Sequence, residues 1–388
     1  MKEMKQYTIA DVCSRLRSGK GIPASKVTPT GQYPVIGGNG VRGYTDSFNF
    51  DGECAVIGRQ GANCGNVRYF QGKAYMTEHA IVAIGNENAN TKYLACLFSL
   101  MHLGNLSAQS AQPGLSVQTL SKQIVYLPEI STQNKIAEII RSLDTKIEVN
   151  KQINDNLEQQ AQALYKSWFI DFEPFKDGKF EESEIGLIPE GWHVGKAEDF
   201  YEINIGKTPP RKEHEWFTLD KSQNIWVSIS DLGSDGRFLF DSSEYLTDKA
   251  IQKHNIVLVP ENTVLLSFKL TIGRVGIAGT QLTTNEAIAR FITNSVNREY
   301  TYFLLKNFNY SKLGSTSSIA TAVNSKIIKA MVVLMPSNEC LLNFKKLVGP
   351  IIDGIKKNEE EIRRLTKLRD NLLPKLMSGE LKINELDC

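Results

Sequence analysis

A shift of 208 positions lays this 388-residue sequence on itself without gaps over more than a hundred residues. Val56 falls on Val264, Gly65 on Gly273, Val67 on Val275, Glu78 on Glu286 and Ile84 on Ile292. Further along, Leu97 meets Leu305, Ser110 meets Ser318, Val125 meets Val333, Pro128 meets Pro336 and Asn150 meets Asn358. The identities are sparse, but a single fixed offset is hard to obtain by chance, and a repeat constrains the fold before any local reading does. A second echo, Gly19-Lys20-Gly-Ile-Pro23 against Gly206-Lys207-Thr-Pro209, sits at offset 187; insertions in the second copy explain it.

Each copy ends in coiled-coil spacing. Ile136, Ile140, Leu143, Ile147, Asn150, Asn154, Leu157, Ala161, Leu164 and Trp168 alternate by four and three, the a/d seam of a long helix. Phe344, Val348, Ile351, Ile355, Asn358, Ile362, Leu365, Arg369, Leu372 and Leu376 repeat that spacing. Ser131 or Thr132 is expected to cap the first helix, and Pro374 to kink or stop the second near its last turn. Ahead of the helices, short β-rich runs alternate with glycine-rich turns: Cys54-Ala-Val-Ile57, Ala80-Ile-Val-Ala-Ile84, Val257-Leu-Val259 and Thr263-Val-Leu-Leu266. The expected boundaries are a globular domain over 1–128, a helix over 129–175, a second domain over 176–336 opening on an acidic lead-in (176–190), and a helix over 337–388. The expected fold class is α+β: two globular α/β domains in a pseudo-two-fold repeat, separated by two long antiparallel coiled-coil helices. At about 1.5 Å per residue each helix would be roughly 55–60 Å long, which spans something like 15 base pairs at roughly 3.4 Å each. Asn150 and Asn358 occupy equivalent polar positions in the two seams. If the axis passes close by, their amides pair across it and set helix register at some expense in stability. One heptad of slip would amount to roughly 10 Å.

Composition narrows the class. The apolar share of 41% supports true cores, and no stretch of about 18 apolar residues exists to span a membrane. The opening Met1-Lys-Glu-Met-Lys-Gln-Tyr carries acid and no apolar core, unlike a signal peptide, so the cytoplasm is the expected compartment. Six scattered cysteines (Cys13, Cys54, Cys64, Cys96, Cys340, Cys388) form no C-x-x-C pair, so no metal site is expected. Net charge is only +2, but residues 1–127 carry 12 Lys/Arg against 7 Asp/Glu, while 171–190 carry 2 against 7. Basic charge is thus held away from an acidic connector.

Four strings resemble the type I restriction–modification specificity subunits. Ala163-Leu-Tyr-Lys-Ser-Trp-Phe-Ile-Asp-Phe-Glu-Pro-Phe175 is similar to the close of their central helix, and Leu372-Leu-Pro-Lys-Leu-Met-Ser-Gly-Glu-Leu381 to the close of their distal helix. Leu127-Pro-Glu-Ile-Ser-Thr-Gln-Asn134 is similar to their lead-in to the central helix, and Gly186-Leu-Ile-Pro-Glu-Gly-Trp192 to the start of a second target-recognition domain. Met335-Pro-Ser-Asn-Glu-Cys340 departs from the usual acidic, glutamine-containing run. The resemblance implies two target-recognition domains, each reading half of a bipartite site in double-stranded DNA. It also implies helices that dock two modification (methyltransferase) subunits, with restriction/motor subunits in the same assembly. S-adenosylmethionine, ATP and magnesium would belong to those partners, leaving this chain without a cofactor and without catalysis of its own.

Motifs for catalysis are missing. The sole Pro-Pro, in Thr208-Pro-Pro-Arg211, lacks the Asn/Asp and aromatic of an adenine methyltransferase motif. Gly206-Lys207-Thr208 resembles the tail of a P-loop, but the required glycine is Tyr201. Glu380-Leu-Lys382 with Asp370 is a poor nuclease acid–lysine set, because it follows a helix rather than lying on strands.

Base readout needs Arg, Lys, Asn or Gln at groove edges, held there by phosphate contacts. In the first domain, Arg59, Gln60, Asn63, Asn66 and Arg68 in a glycine-rich segment are the candidates, with Arg42 in Gly37-Gly-Asn-Gly-Val-Arg42 as a second site. In the second, the repeat selects Lys269, Thr271 and Arg274, with Lys207 and Arg211 as phosphate contacts. Each set also reads as a solvated hairpin carrying ordinary surface charge. The polar stretches 107–116 and 314–324 are either recognition loops or connectors. Trp168, Phe169, Phe172 and Phe175 at the helix elbow are candidates for partner docking. Two rival readings remain: a coiled-coil adaptor that binds no DNA, and the recognition part of a fused restriction–methylation enzyme, against which the start at Met1 and the close after Ser-Gly-Glu-Leu are taken to argue.

Overall fold

The computed structural model describes residues 4–107, 114–233, 236–293, 296–313 and 323–381. The chain forms two compact units, Met1–Glu148 with Arg363–Cys388, and Val149–Ile362.

The first unit runs through β1 (Lys5–Thr8), β2 (Cys13–Ser18), β3 (Tyr33–Gly37), β4 (Gly40–Thr45), β5 (Phe50–Gly58), β6 (Val67–Met76) and β7 (Ala80–Gly85). Helix α1 (Thr91–Leu100), the short α2 (Val117–Ser121), β8 (Ile124–Leu127) and the long α3 (Ile130–Phe169) follow. Six strands form one sheet in the order β2-β7-β5-β6-β3-β4, and β1 pairs antiparallel with β8. Ala55 and Ile57 of β5 face a core shared with Tyr93, Phe98, Ile136 and Ile140, whereas Cys54 and Val56 face Phe50, Met76 and Val82. A strand covered on both faces reads as an unbroken apolar run, which is why Cys54–Ile57 stands out in the sequence. Burial pushes the Cys54 thiol up to about 12.

The acidic lead-in of the second unit is a hairpin, β9 (Phe180–Ser183) with β10 (Gly186–Pro189). Then come β11 (His193–Lys196), α4 (Ala197–Phe200), β12 (Glu202–Ile205), β13 (Phe217–Thr218), β14 (Asn224–Val227), β15 (Phe238–Leu239), β16 (Glu244–Leu246) and α5 (Asp248–Lys253). The unit continues with β17 (Val264–Ser267), β18 (Val275–Ala278), β19 (Thr283–Thr284), β20 (Ile288–Ile292), α6 (Arg298–Asn307), α7 (Ser325–Lys329) and β21 (Val332–Met335), and α8 (Asn338–Ser378) closes the order. Its main sheet is β12-β20-β17-β18-β15, beside a smaller sheet, β13-β16-β14-β19.

The repeat holds strand by strand. The order β2-β7-β5-β6 reappears as β12-β20-β17-β18, and β1 with β8 as β11 with β21. Arg17 pairs with Val82 and Asn204 with Arg290, so one strand is displaced by 187 positions and its neighbour by 208. The extra residues lie between β12 and β17: β14 and β16 repeat β3 and β4, since Trp226–Thr283 and Val227–Thr284 match Val35–Tyr75 and Ile36–Met76, whereas β15 and α5 have no counterpart in the first unit. Across α1 and α6 the offset falls to 207. There Asn90 caps one helix by accepting from the Tyr93 N–H, and Asn297 caps the other from Tyr300. Phe98, not Leu97, is therefore the counterpart of Leu305, and both are fully buried.

Three local expectations are corrected. Val257-Leu-Val259 is not a strand; Val259 makes a single bridge to Leu282, and Val257 is exposed. Neither Ser131 nor Thr132 caps α3: the Glu129 carbonyl takes the N–H groups of Thr132 and Gln133, so both hydroxyl residues sit inside the first turn. Nor does Pro374 stop α8, which runs through it to Ser378. A proline removes one N–H bond, while Leu376 and Met377 anchor that turn in the first core. The end comes at Gly379, whose φ of 75° is the left-handed conformation that closes helices.

The seam residues Ile136, Ile140, Ile147, Asn150, Asn154 and Ala161 are buried, as are Phe344, Val348 and Ile355. In the first unit Arg369 donates to Asp144 at 3.0 Å. In the second, Asn150 donates to Glu361 and Asn358 to Asn154, each at 2.8 Å, and Leu157 lies beside Gly354. As the α3 number rises its α8 partner's falls, so the helices are antiparallel. Asn150 and Asn358 do not pair with each other, contrary to expectation. Their partners place the crossing of equivalent positions near residues 152 and 360, leaving these two amides about one helical turn, ~6 Å of rise, apart.

Candidate nucleic-acid interface

In the first unit, the turns at one end of the sheet converge. The β5–β6 turn carries Arg59, Gln60, Asn63 and Asn66, Arg68 stands at the start of β6, and the β3–β4 turn leads to Arg42. Arg68 Nη1 donates to the Asn39 carbonyl at 2.8 Å, bringing the two sequence candidates together. Asn66 donates to Asn63 Oδ1 at 3.3 Å, and the Arg59 N–H to the His79 carbonyl at 3.0 Å. Gly58 is required here, because a Cβ would collide with the Asn63 carbonyl. The Arg42 and Arg59 side chains have no partner among the described residues; Arg42 is exposed and Arg59 half-buried. Residues 108–113 and 314–322 of the stretches 107–116 and 314–324 lie outside the described residues, and Gln60 bridges Gly114 in the first.

A third turn joins this end, and it is built twice. Gly19 packs on the backbone of Met76 and Thr77, with the Lys20 N–H donating to the Met76 carbonyl at 2.9 Å. In the second unit Gly206 packs on Thr284 and Asn285, with Lys207 N–H donating to the Thr284 carbonyl at 2.9 Å. Glu78 follows the first turn and Glu286 the second, where it accepts from Thr208 Oγ1. The offset-187 echo therefore marks a duplicated Gly-Lys turn seated against an equivalent glutamate. The charge pattern is duplicated too. Residues 54–77 contain Arg59, Arg68 and Lys73 and no carboxylate; residues 262–285 contain Lys269 and Arg274 and no carboxylate. Glu53 and Glu78 bound the first stretch, Glu261 and Glu286 the second. An acid-free hairpin of this kind presents only donors and positive charge to a polyanion.

The second-unit candidates separate. Lys269 and Thr271 are exposed on the β17–β18 turn. Arg274 is half-buried, donates to the Ile229 carbonyl at 2.8 Å and packs against Gly233. It lines a polar cavity of about 470 Å³ with Lys151, Asp155, Glu158, Arg237 and Lys306. Lys207 is exposed, but its ammonium is held by the His254 carbonyl at 2.5 Å. Arg211 is bonded within the fold: it makes a two-pronged pair with Glu244 at 2.9 and 2.8 Å and lies 4.2 Å over Phe217 and 4.6 Å over Trp226. Those contacts tie the guanidinium into the fold while its side chain stays half-exposed.

The elbow aromatics also make contacts within the fold. Phe169 is 5% exposed and packs on Trp192, Tyr300 and Phe344. Trp168 leans on Phe175 and Phe344, and Phe172 on Phe180 and Trp192. They pack against the core of the second unit, Phe169 buried and Trp168, Phe172 and Phe175 half-buried, with the chain turning at Phe172 (φ 54°).

Polar anchors missed in the sequence hold each sheet to its helices. Gln133, fully buried, accepts from the Asn90 N–H and donates to the Asn88 and Pro128 carbonyls. In the second unit Arg237 reaches Asp155 at 2.5 Å and Glu158 at 2.9 Å, and Glu158 also takes Tyr302 and Lys306. Burial works against the Glu158 charge, but the Lys306 and Tyr302 bonds outweigh it and hold the carboxyl below its ordinary value. Glu359 accepts the N–H groups of Arg237 and Phe238, yet burial pushes its carboxyl up. Among the described residues no three His, Cys, Asp or Glu side chains converge to hold a metal, and no helix is long and apolar enough to cross a membrane.

The family model for the Type I restriction modification DNA specificity domain matches residues 1–159 and 189–339, once per repeat. The chain belongs to this family. Its function is DNA sequence specificity, carried by two specificity domains. The specificity domains are similar to those of the type I restriction enzyme MjaIX specificity subunit of Methanocaldococcus jannaschii, 29% identical over 318 residues, 78% of this chain and 72% of the relative. The HindI specificity subunit of Haemophilus influenzae is 27% identical, over 69% of this chain and 71% of that protein. The crystal structure of a type I restriction–modification S subunit from M. genitalium superposes with a TM-score of 0.63, covering 97% of this chain and 96% of that one at 16% identity. That likeness concerns the fold of a specificity chain alone.

Proposed function

We propose that each unit reads one half of a bipartite site in double-stranded DNA, through the turns that carry the Gly-Lys motif and the acid-free hairpin. The observation that carries this reading is the duplication: two sheets of the same strand order present the same turn and the same charge pattern, on loops of different sequence. Phosphates would be met by Lys20, Lys207 and Lys269, and base edges by Arg42, Arg59, Gln60, Asn63, Arg68 and Thr271. We further propose that the outer faces of α3 and α8 dock two modification subunits and, through them, restriction/motor subunits. Val149 and Ile153 on α3 and Leu342 and Leu347 on α8 are exposed and suit such contacts. In this assembly S-adenosylmethionine, ATP and magnesium belong to the partners, the chain itself is non-catalytic, and the complex works in the cytoplasm.

Methylome sequencing of cells with and without the chain tests the reading. Loss of one split adenine-methylation motif is expected; an unchanged methylome would return the chain to a non-DNA adaptor.

A further inference from the structure

Leu270 stands at the tip of the β17–β18 hairpin, 98% exposed, with a φ of 59°. The left-handed region is costly for an L side chain, and so is an apolar side chain left wholly in water. A strained residue persists where its surroundings over-determine it, and those surroundings are present. Ser267, fully buried, donates from Oγ to the Thr271 carbonyl at 2.6 Å and accepts the Arg274 N–H at 3.0 Å. Thr271 N–H reaches the Lys269 carbonyl at 2.6 Å, and Gly273 N–H the Ser267 carbonyl at 3.0 Å. Phe268 is 1% exposed and roots the tip in the core. The hairpin is thus a preformed mount that holds one leucine outward, with half-exposed Ile272 (39%) and exposed Lys269 beside it. Charge indicates what covers it, since no carboxylate occurs between residues 262 and 285.

We propose that Leu270 is an apolar wedge that enters the DNA groove and partly unstacks one base step in the half-site read by the second unit, while Lys269 neutralises the adjoining phosphate. This rests on the reading of that unit as a duplex-DNA reader. Wedges of Leu, Ile, Phe or Met between base steps are a known physical route to kinked, sequence-selective complexes, because the cost of unstacking depends on the step. The same offset in the first unit falls on Ala62, between Gly61 (φ 75°) and Asn63, so that turn has no wedge. Unstacking is therefore confined to one half-site, which makes the other an internal control.

The test uses the complete complex and a duplex bearing the site mapped by methylome sequencing, with 2-aminopurine placed in turn at each position of both halves. The half belonging to the second unit is identified by exchanging residues 1–127. Binding should raise 2-aminopurine fluorescence roughly severalfold at one step of that half and at none of the other. Leu270→Ala and Leu270→Gly should abolish the rise and weaken binding about tenfold. Leu270→Gly should melt no lower than wild type, because glycine adopts φ 59° freely. Absence of the rise in the wild-type complex, or variants binding within about twofold of it, would overturn the wedge. Failure of the wild-type complex to bind the mapped duplex at all would instead remove the DNA reading beneath it.

Discussion

The guanidinium of Arg211 is tied into the fold, with two of its N–H groups given to Glu244. Its two-pronged bond to Glu244 and its stacking on Phe217 and Trp226 stabilise the small sheet of the second unit. Arg211→Ala should lower stability by about 1–2 kcal/mol in denaturant titrations while leaving specific DNA affinity within about twofold. Arg59 is the opposite case: its backbone is bonded to the turn and its side chain has no partner among the described residues. Arg59→Ala should leave the melting temperature nearly unchanged and weaken specific binding by about 1–3 kcal/mol if it reads a base edge. A purely phosphate role would instead lower affinity for all sequences and flatten the salt slope by about one. Fluorescence anisotropy across a salt series distinguishes the two, and no change in either quantity would return the turn to a solvated hairpin. Both residues are arginines beside glycine-, proline- or asparagine-rich segments in the sequence; only their neighbours in space separate them.

At the scale of elements, each unit fastens its sheet to the long helices through buried polar groups. Glu158, between Arg237, Tyr302 and Lys306, has a folded-state carboxyl below its ordinary value. A depressed carboxyl contributes stability that is present above its unfolded value, about 4.3, and is lost as pH falls through the folded value. Glu359 works against this, its carboxyl being raised by burial. Glu158→Gln should cost about 2–3 kcal/mol at pH 7 and show a shallower loss of stability than wild type as pH falls below about 4.3. Equal acid-side slopes in urea titrations of the two proteins would contradict this. The helix seam offers a second test. Asn154 is 1% exposed and bonded to Asn358, and replacing both with Leu should keep or raise the melting temperature. If the pair sets register, the double variant should also methylate sites with a wider range of spacers. A sharp drop in melting temperature would show that the amides are needed for packing itself.

At the scale of the whole molecule, the repeat makes a modular prediction. Exchanging residues 1–127 for those of a relative with a different target should change one half of the methylated motif and leave the other intact, as read by methylome sequencing. A change in both halves would contradict independent reading by the two units. The 21-position difference between the two offsets places β15 and α5 in one copy only, so the two readers share a scaffold and differ in what surrounds their tips.

Periodicity and self-similarity are properties of order along the chain, and the sequence by itself determined what depends on them: the repeat, the four-three seam of two antiparallel helices, and the doubly buried strands at Cys54–Ile57 and Ala80–Ile84. The duplicated Gly-Lys echo and the pair Glu78 and Glu286 were also visible there, but not that they form one turn, because β2 and β7 come together from 60 residues or more apart. Only the tertiary structure decided which polar side chains are already occupied. Arg211 and Glu244, Arg237 and Glu158, and Gln133 and Asn90 carry no local signature, since a hydrogen bond between distant segments leaves no period. The elbow aromatics are ambiguous for a related reason: a Trp-Phe string reads alike on a docking face and in a core, and only the contacts of Phe169 with Trp192, Tyr300 and Phe344 place it in the core.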